Sequence, residues 1–166
     1  MKHTLSQLIE TYIEGGTEKD LEILSYAIEG LNQKIVGKNR TYLEGLLHME
    51  QKLDDHSCEI SIPLNSLLTN SYGMLHGGLT STILDTAMGV LANHITPDEF
   101  GVVTNQLNVH FVAPGTGDFL RCRSEVIHQG KTMLVISGEA FRSDGKKIAH
   151  ATGSFFVVKK QVDGGK

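Results

Sequence analysis

Residues 73–94, GMLHGGLTSTILDTAMGVLANH, decide the fold. They read as one long apolar helix with Gly77 and Gly78 at its mouth and a single acid, Asp85, in its middle. Pro97 rules out continuation far beyond Asn93. A helix apolar on nearly all sides has to be surrounded by other elements. Between Glu59 and Asp98 there is no other Asp, Glu, Lys or Arg, so Asp85 has no local ionic partner. Removing a carboxylate from water without compensation is expensive. Two readings offset that cost. Asp85 is either hydrogen-bonded, to backbone or to Thr82 or Thr86, or it is held for chemistry.

The flanking sequence supplies the surroundings. After the helix come VVTNQLNVHFVAP (102–114), DFLRCRSEVIHQ (118–129), TMLVISGEAFRS (132–143) and KIAHATGSFFVVK (147–159). These are four strand-like runs divided by GTG, GK and DGK, the last two being hairpin signals. Before the helix, YLEGLLHMEQKL (42–53) and CEISIPL (58–64) alternate well enough for two strands around the turn-like DDHS. Strands on both sides of one helix in a short chain predict an α+β fold, an antiparallel sheet of five to six strands wrapped around a long central helix.

The first 36 residues have a helical period instead. Leu5, Leu8, Ile9, Tyr12 and Ile13 form one stripe; Leu21, Leu24, Ile28, Leu31 and Ile35 form another. Gly15 and Gly16 divide them, and Thr17 with Asp20 resembles a capping box at the second start. The expected organisation is a helical extension over 1–40, a main domain over 41–160 and a disordered tail over 161–166. The extension is read as a helical pair packing on the main body, with contact to a partner as the other use of its stripes.

Composition narrows the function classes. In 166 residues, 40% are hydrophobic, enough for a real core, and the formal net charge is −4. Scattered Lys and Arg give no basic field for a phosphate backbone, so nucleic acid is not an expected partner. No membrane association is expected, because no stretch approaches 18 apolar residues. MKHTLSQLIETYIEGG lacks the continuous apolar core of a secretory signal. Cys58 and Cys122 have no CxxC spacing, which reads as two small core residues in a cytoplasmic protein. His48, His110, His128 and His150 fall in strand-like runs and His94 at the helix end, with no HExxH or CxxC, so no metal site is expected. There is no GxSxG elbow for a serine hydrolase.

The helix mouth carries the remaining chemistry. The first turn of any helix leaves backbone N–H groups without intrahelical partners, and glycine lets a ligand approach them closely. Gly77 and Gly78 therefore either stabilise an oxyanion or simply allow a tight turn into the helix. Asp85, in apolar surroundings, has its charged form disfavoured and so suits a base. Eight residues separate Gly77 from Asp85, about 12 Å along the axis at 1.5 Å per residue. One carbonyl cannot touch both. If the two act together, donor and acid come from different chains, which predicts a homodimer with antiparallel neighbouring helices and two equivalent sites.

Asn70, His76-Gly77-Gly78 and Asp85, an Asn six positions before HGG and an acid nine after the His, followed by a small-residue helix, resemble the signature of the hotdog-fold acyl-CoA thioesterases. The branch in question contains the phenylacetate-pathway thioesterases and human thioesterase superfamily member 2. The resemblance covers about residues 42–159 and leaves the first 36 outside. It implies dimers, often paired into homotetramers, that hydrolyse acyl-CoA thioesters without metal or cofactor. Carried over, it makes Asp85 base or nucleophile, the Gly77 N–H the carbonyl polariser, and Asn70 and His76 the groups that orient water and substrate beside the opposite chain's Asp85. A hydroxyl on the strand after the helix falls on Thr104, with a one-residue gap in the alignment. Gly130-Lys131 matches a turn near the coenzyme A phosphates, and Lys131 reads equally as a solvated hairpin lysine. Gly78 accompanies Gly77 at the substrate. The rival class is a non-catalytic acyl-CoA-binding regulatory module; a hydratase on the same fold is a third reading.

Overall fold

The computed structural model describes residues 2–160. They form two compact units that divide between Met49 and Glu50. The expected tail over 161–166 lies outside the described residues.

The first unit holds α1 (Lys2–Gly15), α2 (Glu18–Ile35) and α3 (Tyr42–Leu46). Gly15 ends α1, and the capping box at Thr17 starts α2: Asp20 N–H donates to the Thr17 hydroxyl, and Thr17 N–H donates to the Asp20 carboxylate at 2.9 Å. The stretch read as a strand over 42–53 is instead α3 followed by a turn and a short strand. Thr41 and Glu44 form a second capping box, with Glu44 N–H donating to Thr41 Oγ1 at 3.1 Å and Thr41 N–H donating to Glu44 Oε2 at 3.2 Å. Gly45 then packs so closely against Gly30 of α2 that a Cβ on either would run into the other's carbonyl oxygen. His48, read as a strand residue, is in a turn at φ 47. Its ring stacks on Tyr26 at 4.0 Å, donates from Nε2 to the Tyr26 carbonyl at 2.9 Å and accepts from Gln33 at Nδ1. These contacts hold α3 and the turn on one side of α2.

The second unit is a six-stranded antiparallel sheet with one helix. Its elements are β1 (Glu50–Leu53), β2 (Ser57–Pro63), α4 (Gly77–His94), β3 (Phe100–Phe111), β4 (Phe119–Gln129), β5 (Met133–Arg142) and β6 (Lys147–Lys159). The strand order is β1-β2-β4-β5-β6-β3, so the two edges are β1 and β3. Alternation along β2 and β5 turns Cys58, Ile60, Ile62, Leu134, Ile136 and Ala140 inward. Burial pushes the Cys58 thiol up to about 12 and the Cys122 thiol higher still, as fits core residues rather than nucleophiles.

Helix α4 seats Ile83, Leu84, Ala87, Met88 and Leu91 on this face, each fully buried. It comes close because Gly138 and Gly153, on adjacent strands, present only backbone to Leu84 and Met88. A long helix packed on a six-stranded antiparallel sheet is the hotdog arrangement. The expectation of a helix enclosed on nearly all sides is corrected. Only the 80/83/84/87/88/91/92 stripe is buried, while Ser81, Thr82, Asp85, Thr86, Gly89 and Val90 are half-buried. Ser, Thr and Gly make the second face nearly as uncharged as the first, which is why the sequence suggests burial all round.

Candidate active site

The loop before α4 is pinned by Asn70. Its side-chain oxygen accepts from Tyr72 N–H at 2.9 Å and Met74 N–H at 3.2 Å, while its backbone N–H donates to Met74 O. Gly73 makes the turn at φ +71, a conformation that disfavours a side chain. The Asn70 amide N–H groups make no hydrogen bond among the described residues. Thus the oxygen builds the loop and the NH2 is available.

His76 is the N-cap of α4. Gly78 N–H donates to His76 Nδ1 at 3.0 Å, so Nδ1 is an acceptor and the neutral ring carries its proton on Nε2. The His76 carbonyl accepts from Leu79 and Thr80 N–H. Gly77 N–H makes no hydrogen bond among the described residues. It is the one donor of the first turn that neither cap nor chain uses. Beside it stands Phe111, whose ring would meet a Cβ on Gly77 at 3.3 Å.

Asp85 lies two turns further on, half-buried on the open face of α4. Its Oδ1 accepts from Thr104 Oγ1–H at 3.0 Å. Thr82 and Thr86 are not its partners, since their hydroxyls donate to the carbonyls of Gly78 and Thr82 at 3.0 and 2.7 Å. A hydroxyl has one proton to give, and both are committed to the helix. Thr104 reaches Asp85 from β3 immediately before a bulge at Asn105, where the β3–β6 register shifts. The Asn105 amide donates to Ser154 Oγ on β6 and holds the bulge. Phe111 and the Asn105–Ser154 pair escape sequence reading, because only cross-strand register brings them to the site.

The single chain therefore joins Asp85 to Thr104 and groups Asn70, His76, Gly77 and Gly78 at the helix mouth, but does not join the two groups. No side-chain hydrogen bond links Asn70 or His76 to Asp85 among the described residues. Gly130 and Lys131 lie near the other end of α4, roughly 25 Å away along a helix of this length. They border a cavity of about 300 Å³ whose walls include Thr96, Phe100, Leu134 and Val157. Gly130 N–H donates to Met133 O, closing the hairpin, and Gln129 donates to Ile95 O at the end of α4. No cluster of three or more metal-ligating side chains occurs among the described residues. No described helix is long and apolar enough to cross a membrane.

Residues 72–149 match the family profile of the Thioesterase superfamily. A Bacillus halodurans protein, solved in crystals with CoA, superposes with a TM-score of 0.86 at 37% identity, covering 92% of this chain and 99% of that one. That coverage cannot be reached by residues 50–166 alone, so the likeness extends into the helical unit. A thioesterase family protein from Silicibacter pomeroyi is 29% identical with a TM-score of 0.69, over 81% of this chain and 99% of its own. A thioesterase from Haemophilus influenzae shares the fold, with a TM-score of 0.70 at 15% identity, over 81% and 92% of the two chains.

Proposed function

The chain belongs to the thioesterase superfamily, and from that premise we propose that it hydrolyses acyl-CoA thioesters to the free acid and coenzyme A in a site shared by two chains. The observation that carries this reading is the Asp85–Thr104 pair: a carboxylate whose sole hydrogen-bonding partner among the described residues is one hydroxyl, on the half-buried face of α4.

In this reading β3 is where two copies meet. It is a 12-residue edge strand with one free row of backbone groups, whereas the opposite edge, β1, has four residues. A long unprotected edge invites strand pairing. Pairing there covers the open face of α4 with its counterpart, running in the opposite sense, and brings Asp85 of one copy to the helix mouth of the other. Two such dimers stacking into a tetramer is compatible with the same site.

The thioester carbonyl oxygen accepts from the unused Gly77 N–H, which stabilises the negative charge that grows on it. Asp85, oriented by the Thr104 hydroxyl, removes a proton from water as the water oxygen bonds to the carbonyl carbon. The tetrahedral intermediate collapses with cleavage of the C–S bond, and coenzyme A leaves as the thiolate. Asp85 attacking directly to form an anhydride, which water then opens, gives the same products. The NH2 of Asn70 and Nε2 of His76 orient the water and the acyl group, Gly78 leaves room for the substrate, and Lys131 with Gly130 faces the phosphates of coenzyme A. The Bacillus halodurans relative solved with CoA supports this ligand class.

A panel of acyl-CoAs read with a thiol-detecting dye tests the proposal. Wild-type protein releases thiol from at least one of them and Asp85→Asn loses that rate by about 10²- to 10⁴-fold, the usual worth of a positioned base. Equal rates would overturn the role of Asp85. Binding of acyl-CoA without turnover in either protein would move the chain to the regulatory-module reading. Single turnover in oxygen-18 water separates the two routes, because label in the enzyme carboxylate requires the anhydride.

A further inference from the structure

The sheet presents a buried hydroxyl to the underside of α4. Alternation along β4 turns Leu120, Cys122 and Ser124 inward, and Ser124 has no exposed surface. The other buried polar side chains among the described residues, Thr80 and Thr96, return their protons to the His76 and Ala92 carbonyls four residues back. Ser124 instead reaches across to the helix. Its Oγ lies 2.9 Å from Ala87 O and 3.3 Å from Cys58 O on β2. A hydroxyl has one proton to give, and the shorter contact is the helical one. The approach is close because Gly138 on β5 is the cross-strand partner of Ser124, and a Cβ there would meet Leu84 Cδ2 at 3.1 Å and Met88 Sδ at 3.3 Å. Ala87 does not need the extra donor, since it lies inside α4, where a carbonyl accepts from the N–H four residues on. Burying a hydroxyl carries a desolvation cost that alanine at the same place would not. A buried bond that rescues no orphaned group contributes through its direction.

Among the described residues, four hydrogen bonds tie α4 and its C-cap to the sheet. Val102 N–H to Asn93 Oδ1 and the Gln129 amide to Ile95 O hold the C-terminal end. Thr104 to Asp85 and Ser124 to Ala87 hold the middle. Residues 85 and 87 stand about 200° apart around a helix of 3.6 residues per turn, so the two central bonds grip opposite sides of one turn. The rest of the contact there is apolar, through Leu84, Met88 and Leu91. Apolar burial resists separation but has no direction, so rotation and sliding of α4 at this turn are opposed by the two bonds. We infer that Ser124 is a positioning residue for Asp85: its hydroxyl fixes the rotation and axial position of α4 at the turn that carries the carboxylate, and so keeps Asp85 on the Thr104 hydroxyl. The inference rests on the reading of Asp85 as base or nucleophile. Ser124 acts only through the helix above it, and a misplacement of about 1 Å in a reacting group can cost as much as about 10²-fold in rate.

A double-mutant cycle on the full chain tests this, read as thiol release from the acyl-CoA that the wild type turns over fastest. Ser124→Ala leaves the Ala87 carbonyl its own helical donor, so the urea midpoint should move little. Its kcat should nevertheless fall about three- to ten-fold, with KM nearly unchanged. On a Thr104→Val background, where Asp85 has already lost its hydroxyl, the same substitution should cost less than about two-fold. A serine that merely supports the fold would repeat its full loss there, because independent effects add. That repeated loss, an unchanged kcat in Ser124→Ala, or a kcat that falls only in step with the urea midpoint would overturn the inference. Asp85→Asn, measured alongside, separates this result from the hydrolysis reading. Full activity in Asp85→Asn overturns both. An inactive Asp85→Asn beside a fully active Ser124→Ala overturns the role of Ser124 alone.

Discussion

Asp85 is held by a single hydroxyl, which makes Thr104 the sharpest probe of the site. Thr104→Ser keeps the donor and should keep most of the turnover. Thr104→Val removes it and should lower kcat about ten-fold or more, since hydrogen bonds to charged groups are worth about 1.5–3 kcal/mol. KM should change less than kcat. Gly77 allows a similarly clean removal of a donor. It is the first helical residue, where proline is tolerated because its missing N–H is an orphan anyway, and His76 already has the extended φ −63, ψ 130 that precedes proline. Gly77→Pro should therefore cost about 10²- to 10³-fold in kcat; because its Cβ meets the Phe111 ring at 3.3 Å, Gly77→Ala, which adds the same Cβ but keeps the N–H, is the control that isolates the lost donor. The residue gap between Glu59 and Asp98 marks Asp85 in the sequence without any structure. What it does not reveal is the partner. Thr82 and Thr86 are nearer in sequence, but helical hydroxyls return their protons to carbonyls four residues back, and Thr104 comes from another element.

Among the elements, α4 and its sheet depend on two glycines that face it. A Cβ on Gly153 would lie 2.9 Å from the Phe155 ring and 3.3 Å from Met88 Cε. Gly153→Ala should destabilise the protein by about 1–3 kcal/mol, measured as a lower urea midpoint, because an overfilled core must shift backbone or rotamers. The β5–β6 turn has a pH signature of its own. The Arg142 guanidinium beside Asp144 holds its carboxyl down to about 2. The folded-state value is depressed, so the stabilisation is present above the ordinary carboxylate range and is lost as pH falls from about 4 towards 2. Asp144→Asn should thus lower the urea midpoint slightly at pH 6, and the gap from wild type should close as pH approaches 2. The four strands after α4 are legible from alternation and hairpin signals. Residues 42–49 are not, because YLEGLLHM satisfies a strand pattern and a helix pattern alike. The Thr41–Glu44 cap and the Gly30–Gly45 approach settle it as a helix and a turn.

For the whole molecule, the proposed two-chain site makes a quantitative statement about mixtures. Asp85→Asn and Gly77→Pro damage complementary halves of a site. Mixed dimers then contain one site with both changes and one with neither. Half of randomly assorted dimers are mixed, so unfolding and refolding the two inactive proteins together should restore about a quarter of the wild-type rate. No recovery, with mixed dimers demonstrated by mass, would place donor and acid in the same chain. The outer face of the sheet is charged, and Glu59, Arg123, Glu139 and His150 border a cavity of about 390 Å³ on it. A single register line crosses it as Lys52, Glu59, Arg123, Glu139, His150 and His110, alternating in charge over its first four members. The row keeps the face wet; Lys52 and Glu59 pair across strands at 3.9 Å, while Arg123 pairs with Glu125 of its own strand at 3.0 Å.

The order of residues alone establishes the antiparallel sheet, the long helix, the two amphipathic stripes and the acid that stands out among uncharged neighbours. Those features are local: periodicity, turn chemistry and the cost of a stray charge act over a few residues and can be read in a line. The bulge that delivers Thr104, the Phe111 ring beside Gly77, and the half-open face of α4 depend on which distant segments become neighbours. Register and burial are properties of packed chains, and no stretch of sequence encodes them until the strands have paired.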